Sequence, residues 1–426
     1  MEESRGDSTV EKRRALYKPV GSYAERAEER RALLLLRQND CRRERVQLLR
    51  RISAEGANDV AVEGLQDEQP QPQQSPRTTR RSKKSKKFHP WTRSPLCQPE
   101  WLIEPPEDLG PDRWFVRPRP EGKKCIVVAA GGQISVRDRN GWFLHRRGRL
   151  LSALPGGSPV TDPTSTTILD CIMPAEGCTK LFYVLDVMCW NDLMMDDNVP
   201  ELRFFFAESR IQEVEALYGQ SGYHQARFIF VPYYPADAEG LVAAREYCVQ
   251  SRVSQDGILL YSRFASYPPG LTPLVLTWKD PACSAHWIET FPEPPPPDVD
   301  IRDLPLIVAL RYDANHSALA TCDEPPVLVS TPALCTAFEF DDGTVPRPGD
   351  ILRFLLLNVA EVVALRGEPL RLETARLQLV GRSSFTRGQA DSWSRVLFQC
   401  LSRHHPITFD SLLSAADALE PVDCSN

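Results

Sequence analysis

The spacing of apolar positions changes several times along the chain, and each change predicts a different kind of element. Ser22-Tyr23-Ala24-Glu25 has the spacing of a helical capping box, and neither Gly nor Pro interrupts the sequence from there to Ile52. Leu33 to Leu36, Val46, Leu48, Leu49 and Ile52 supply an apolar stripe, which predicts one long amphipathic helix. From residue 54 to 95 the pattern dissolves into Gln-Pro repetition followed by Arg77, Arg80, Arg81, Lys83, Lys84, Lys86 and Lys87, a composition with almost nothing to bury.

Short β-branched and aromatic runs then take over. Cys125–Ala130, Ile134–Arg137, Ile168–Ile172, Leu181–Val187, Leu202–Phe206, Ala226–Val231 and Ile258–Ser262 read as strands, bounded by turn residues such as Gly131-Gly132 and Asn140-Gly141. One helix is expected near Ala238–Ser251. Beyond the Pro294–Pro297 spacer, strands are expected at Leu306–Leu310, Val327–Ser330, Ile351–Leu357 and Arg371–Val380, with helices at Ala390–Leu401 and Phe409–Leu419. The fold class is α+β, dominated by antiparallel sheet. The expected organisation is a basic helix over 1–53, a linker over 54–95, a β-rich domain over 96–292, a Pro-rich spacer over 293–300 and a smaller α+β unit over 301–426.

Composition narrows the function. With 426 residues and 42% apolar content, two folded units plus tails are the default. Fifty-one basic against 57 acidic side chains give a net charge of −6. Nucleic-acid binding by bulk charge is thus disfavoured, and any basic function is local. The 12 cysteines form no C-x-x-C pair, so neither a zinc site nor a disulfide scaffold is expected. No apolar run reaches the length of a membrane span and the N-terminus lacks a signal-peptide core. These features predict a soluble intracellular protein with reduced thiols and an unused Asn315-His316-Ser317 sequon.

Ordered blocks in the β-rich region carry the chemistry. They are T-I-L-D-C-I (Thr167–Ile172), F-Y-V-L-D-V-M-C-W (Phe182–Trp190), D-G-I-L-L-Y (Asp256–Tyr261) and T-W-K-D-P (Thr277–Pro281). In that order they resemble the blocks of the covalent nucleotidyltransferase fold of mRNA guanylyltransferases and ligases. Two working parts of that family are absent. Arg119-Pro120-Glu121-Gly122 stands where the family has K-x-D-G, and an arginine stays protonated and cannot attack a phosphate. Asp170-Cys171-Ile172 stands where the family has D-G-E, which removes a carboxylate from metal binding. The hydrophobic strand residues around both losses are kept, so the expectation is a retained fold without catalysis.

A closer resemblance covers roughly residues 12–292. Besides the blocks above it includes E-W-L-I-E-P-P-E-D-L-G (Glu100–Gly110), L-L-S-A-L-P-G-G (Leu150–Gly157) and the Pro269–Val275 stretch leading to Trp278. The chain resembles the snurportin family, nuclear import adaptors with a guanylyltransferase-like domain that binds the 2,2,7-trimethylguanosine cap of small nuclear RNAs. That base is cationic and carries methyl groups, both of which suit a tryptophan face. By the family pattern Trp278 would stack on it and Trp101 would face the dimethylated amine; the alternative for each is a place in the core. The resemblance further implies phosphate contacts from Lys123, Lys124, Arg137, Arg139 and Lys279, with Arg139 where the family carries lysine. Arg119 adjoins the same pocket, and Gln98 and Pro99 occupy positions where the family has leucine and a hydrogen-bonding serine.

The arm then resembles an importin-β-binding helix, with Arg13, Arg14, Arg26, Arg30, Arg31, Arg42, Arg43, Arg50 and Arg51 meeting acidic surface. An exportin is the further partner implied by the family, although Met1–Val10 lacks the expected leucines. No cofactor, metal or membrane is implied, and shuttling between nucleus and cytoplasm is expected. Two other readings stay open: a general RNA-cap scaffold with altered cap preference, and a residual guanylyltransferase-like enzyme with another nucleophile.

Overall fold

The computed structural model describes residues 23–38, 40, 42–63, 94–144, 150–174, 180–219, 221–284, 287–289, 291, 296–313, 318–324, 326–329, 346–357, 376–383 and 389–418. Arg13, Arg14, Met1–Val10, the run from Arg80 to Lys87 and the Asn315 sequon lie outside the described residues.

The arm is two helices rather than one: α1 (Tyr23–Arg37) and α2 (Arg42–Glu63). Helix α2 also continues past residue 53, where a linker had been expected. Next come β1 (Cys97–Trp101), β2 (Trp114–Pro120), β3 (Lys123–Ala130), β4 (Gln133–Arg137), β5 (Thr167–Met173), β6 (Leu181–Trp190) and β7 (Leu193–Met194). Helix α3 (Pro200–Tyr218) precedes β8 (Arg227–Phe230) and β9 (Tyr234–Pro235), and α4 (Ala238–Gln250) precedes β10 (Gln255–Ser262) and β11 (Gly270–Lys279). The C-terminal part holds β12 (Leu306–Asp313), β13 (Ala318–Ala320), β14 (Leu328–Val329), β15 (Ile351–Leu356), β16 (Leu377–Arg382), α5 (Trp393–Leu401) and α6 (Phe409–Asp417).

One expected strand is a helix. Leu202–Phe206 lies inside α3, where Pro200 occupies the first turn and Phe204, Ala207, Ile211 and Val214 follow one another at helical spacing on the buried side. The aromatic run had looked strand-like only because Phe205 and Phe206 fill the intervening positions.

The strands form mixed α+β architecture with predominantly antiparallel sheets. One sheet runs β1-β11-β10-β2-β9, a second β4-β3-β5-β6-β7 with β8 against β6, and a third β14-β13-β12-β15-β16. Only the β1–β11 and β6–β8 pairs are parallel among those described. Helix starts follow local chemistry: Asp237, Ser392 and Thr408 cap α4, α5 and α6 by accepting from Gly240 N, Arg395 N and Ser411 N.

Among the described residues, three apolar cores hold these layers together. The largest lies between the first two sheets and takes in Leu49 and Ile52 of α2. The second joins Ile103 and Trp101 to the third sheet and α5. The third packs α4 and α6 on the outer face of the first sheet, around Trp114 and Trp278. The last two cores therefore mix residues from the β-rich region with residues beyond 300.

The arm is docked by charge as well as by apolar area. The Arg30 guanidinium grips the buried Glu100 carboxylate through two bonds of 2.6 and 2.9 Å. Arg45 reaches Asp196 at 3.3 Å and Asp197 at 2.5 Å, and Arg42 also pairs with Asp197. Arg31 is buried, bonded to Glu28 and set over the Trp114 ring at 5.6 Å. Arg43, Arg50 and Arg51 are exposed on α2, and Arg26 lies in α1.

Candidate functional site

Strand register brings one group of the expected residues together. Arg119 of β2 sits opposite Gly257 of β10, which sits opposite Lys279 of β11. Gly257 has φ of 137°, and a Cβ there would meet the Trp278 carbonyl oxygen at 2.0 Å, so the close approach of β10 and β11 needs glycine. The register shift between Gln255 and Gly257 leaves Asp256 at this level. Its carboxylate contacts both the Arg119 guanidinium and the Lys279 ammonium, and it accepts a hydrogen bond from Ser284 at 2.5 Å. Lys279 also lies 5.6 Å from the centroid of the Trp101 ring.

One carboxylate shared between two buried cations cannot compensate both. Burial draws the Arg119 guanidinium down to about 10. Burial, with the Arg119 charge beside it, draws the Lys279 amine down to about 6. The native state thus favours neutral Lys279, whereas the unfolded chain keeps it protonated up to its ordinary value of 10.5. Between about pH 6 and 10 the unfolded state binds the extra proton, so raising the pH stabilises the fold. In Lys279→Met this rise is expected to vanish from urea-unfolding free energies measured across that range; an unchanged slope would refute a neutral Lys279.

Trp278 goes elsewhere. Consecutive residues of a strand point to opposite faces, and Trp101 is paired with Thr277, not with Trp278. Trp278 is 1% exposed on the outer face, its Nε1 donating to the Ile407 carbonyl at 3.0 Å and its ring 6.2 Å from that of Phe409. Trp101 is covered from the same C-terminal region: its ring lies 4.9 Å from Phe398, and its N–H donates to Ser394 Oγ at 3.2 Å. The expectation that the two tryptophans line one pocket is therefore corrected. Each faces its own side of the sheet, and each carries a C-terminal phenylalanine against it.

The remaining expected residues divide between two further places. Lys124 donates to the Cys97 carbonyl at 2.5 Å and pairs with Asp170 at 3.1 Å. Asp170, which also accepts from the Tyr267 hydroxyl at 2.7 Å, has its pKa raised by burial. Gln98 and Pro99 follow Cys97 on β1, where Pro99 borders a register shift. Arg137 is buried with its guanidinium 4.6 Å from the Phe143 ring, Lys123 is exposed at 3.9 Å from Asp138, and Arg139 is exposed. Asp256, Ser284, Phe398 and Phe409 were not anticipated as site residues. Asp256 had a visible signal, as the acid that opens the D-G-I-L-L-Y block; the two phenylalanines had none, because only the tertiary structure carries them to the tryptophans.

The model of the Snurportin1 m3G cap-binding domain matches residues 95–281, fewer than half of the 426. The chain carries a snurportin-like domain. That domain holds every cap-contact candidate named above, from Gln98 to Lys279, while both covering phenylalanines lie beyond it. Among solved structures, the chain is similar to a mycobacterial DNA ligase D complexed with ATP and MES, at 13% identity, 69% of this chain, 95% of that chain and a TM-score of 0.33. It is also similar to Chlorella virus DNA ligase-adenylate, at 11% identity, 68% and 99% coverage and a TM-score of 0.29.

Proposed function

We propose that this protein binds the trimethylguanosine cap of small nuclear RNAs without catalysis and links the capped particle to importin-β as an adaptor shuttling between cytoplasm and nucleus. The observation that carries the reading is the family match over residues 95–281. A guanylyltransferase-like ancestry fits it: Arg119 holds the nucleophile's place and is bound to Asp256. The half-buried face of Trp101, beside Lys279 and Arg119, offers a cationic methylated base an aromatic surface and its phosphates the Arg119 cation and the Lys279 amine as donors. Access to that face requires Phe398 to move aside. For the import half, the exposed Arg43, Arg50 and Arg51 of α2 are available to an acidic partner, which would also have to compete with Glu100 and Asp196 for Arg30 and Arg45.

The test is a fluorescence titration of the full chain with trimethylated and monomethylated cap dinucleotides. The trimethylated cap is expected to bind at least about 10-fold more tightly, with the difference lost in Trp101→Leu. Equal binding of both would favour the general cap scaffold, and binding of neither would overturn the reading. The depressed Lys279 amine is the one observation that favours an enzyme instead. Incubation with α-labelled GTP and magnesium is expected to leave the chain unlabelled; a label that disappears in Lys279→Met would overturn the non-enzymatic role.

A further inference from the structure

Where the arm, the Ser266–Leu274 segment and the third sheet meet, they enclose a cleft of about 950 Å³, a size suited to a nucleotide or a short oligomer. Its charge is unevenly spent. Of its arginines, Arg30 is held by Glu100, and Arg45 by Asp196 and Asp197. Arg37, Arg51 and Arg311, from α1, α2 and β12, line the same space, and no carboxylate among the described residues is paired with them. The acids are fewer in effect. Glu100 is taken by Arg30, and Asp323 is buried, accepts from the Trp393 N–H at 2.7 Å and has its pKa raised by burial. Glu44 and Glu324 are the other acids of the lining, against three guanidiniums from three separate elements.

Gln98 adds a second, independent demand. It lines the cleft, and among the described residues its buried Nε2 has no acceptor, a deficit that a ligand oxygen would fill. Apolar surface is present too: Leu33 and Leu34 of the arm are partly exposed and face the cleft together with Pro269 and Leu271. Cations for phosphates and an amide for a base edge are parts of a single-strand binding groove, here with aliphatic side chains for base faces to pack on. Position favours the same ligand, since Gln98 is three residues from Trp101 on β1, about 10 Å along the strand, one to two nucleotides away.

We propose that this cleft binds the nucleotides that follow the cap, a single-stranded phosphodiester tract gripped by Arg37, Arg51 and Arg311 with the Gln98 amide on a base or phosphate oxygen. The proposal rests on the cap-binding reading for its register, and it makes the arm one wall of the RNA site.

The experiment measures fluorescence anisotropy of the full chain with 3′-labelled ten-nucleotide RNAs, trimethylguanosine-capped and uncapped, beside unlabelled cap dinucleotide as competitor. The capped RNA is expected to bind at least about 10-fold more tightly than the dinucleotide. Arg311→Glu and Arg51→Glu are each expected to weaken RNA binding by about 10-fold and to reduce the slope of log affinity against log salt by about one, leaving dinucleotide affinity intact. Arg210→Glu, on an exposed face of α3, where Arg210 pairs with Glu213 and lies 5.4 Å from the Phe206 ring, is the control and should leave RNA binding unchanged. Equal affinity for capped RNA and dinucleotide, or charge reversals that leave the RNA unaffected, would overturn the cleft. Displacement of a labelled acidic peptide, but not RNA, by these variants would likewise overturn it in favour of a protein ligand. If the dinucleotide fails to bind while uncapped RNA remains sensitive to Arg311→Glu, the cap reading falls and the cleft stands.

Discussion

Asp186→Asn is expected to lower the unfolding free energy by about 3–5 kcal/mol. Asp186 and Arg203 are both essentially inaccessible and are joined in a two-pronged ion pair with both bonds at 2.9 Å. The same guanidinium donates to the carbonyls of Asn198 and Ala265, so it ties α3 to β6 and to the segment after β10. Neutralising the carboxylate leaves a buried cation with carbonyl partners only, and such a cation cannot escape by losing its proton. Urea unfolding followed by circular dichroism should show the midpoint fall at an unchanged m-value. In Asp186→Asn/Arg203→Met much of the loss should return, since removing both charges removes the unpaired one. A single-variant loss below about 1 kcal/mol would mean that water reaches the pair.

Trp278→Ala is expected to cost a similar about 3–5 kcal/mol, from the cavity left by a fully buried indole and from the Ile407 carbonyl losing its donor. This changes how a binding defect in that variant must be read. A family pattern that makes Trp278 the stacking residue attributes any loss of cap affinity to a missing ring, whereas a destabilised fold loses affinity with all its side chains in place. Trp278→Phe separates the two: it keeps most of the packing, and calorimetric stability should recover to within about 1.5 kcal/mol of the parent. If Trp278→Ala retained parental stability and still lost the cap, the indole would be solvent-facing in the binding-competent form and α6 would have to leave it.

Much of the β-rich fold was legible because its strands keep alternating or continuously apolar runs between strong turn residues, as in Cys125–Ala130 and Ile258–Ser262. Leu202–Phe206 misled because three successive phenylalanines mask a helical period. The split of the arm at 38–41 was invisible, since no Gly or Pro marks it, and so was its docking: periodicity reveals that Leu49 and Ile52 form a stripe but not what the stripe faces. For the site, motif order located Arg119, Lys279 and Trp101 in one neighbourhood. Strand alternation alone already separates Trp278 from Lys279, and a family pattern read residue by residue does not register that. The aromatic covers come from Phe398 over Trp101 and Phe409 over Trp278, each more than 100 residues downstream of the tryptophan it covers, and no local signal links positions so far apart.

The spacer near residue 295 looks like a seam in the sequence, yet two of the three cores cross it: Ile103 packs with Leu306 and Phe398, and Trp114 and Trp278 with Phe409 and Leu412. A single backbone cut in that spacer therefore leaves two fragments that stay associated, running apart only in denaturing electrophoresis. Expressed without its partner, the N-terminal fragment would present both tryptophans on bare apolar faces and would be prone to self-association, so its binding behaviour would describe an exposed interior more than the intact protein.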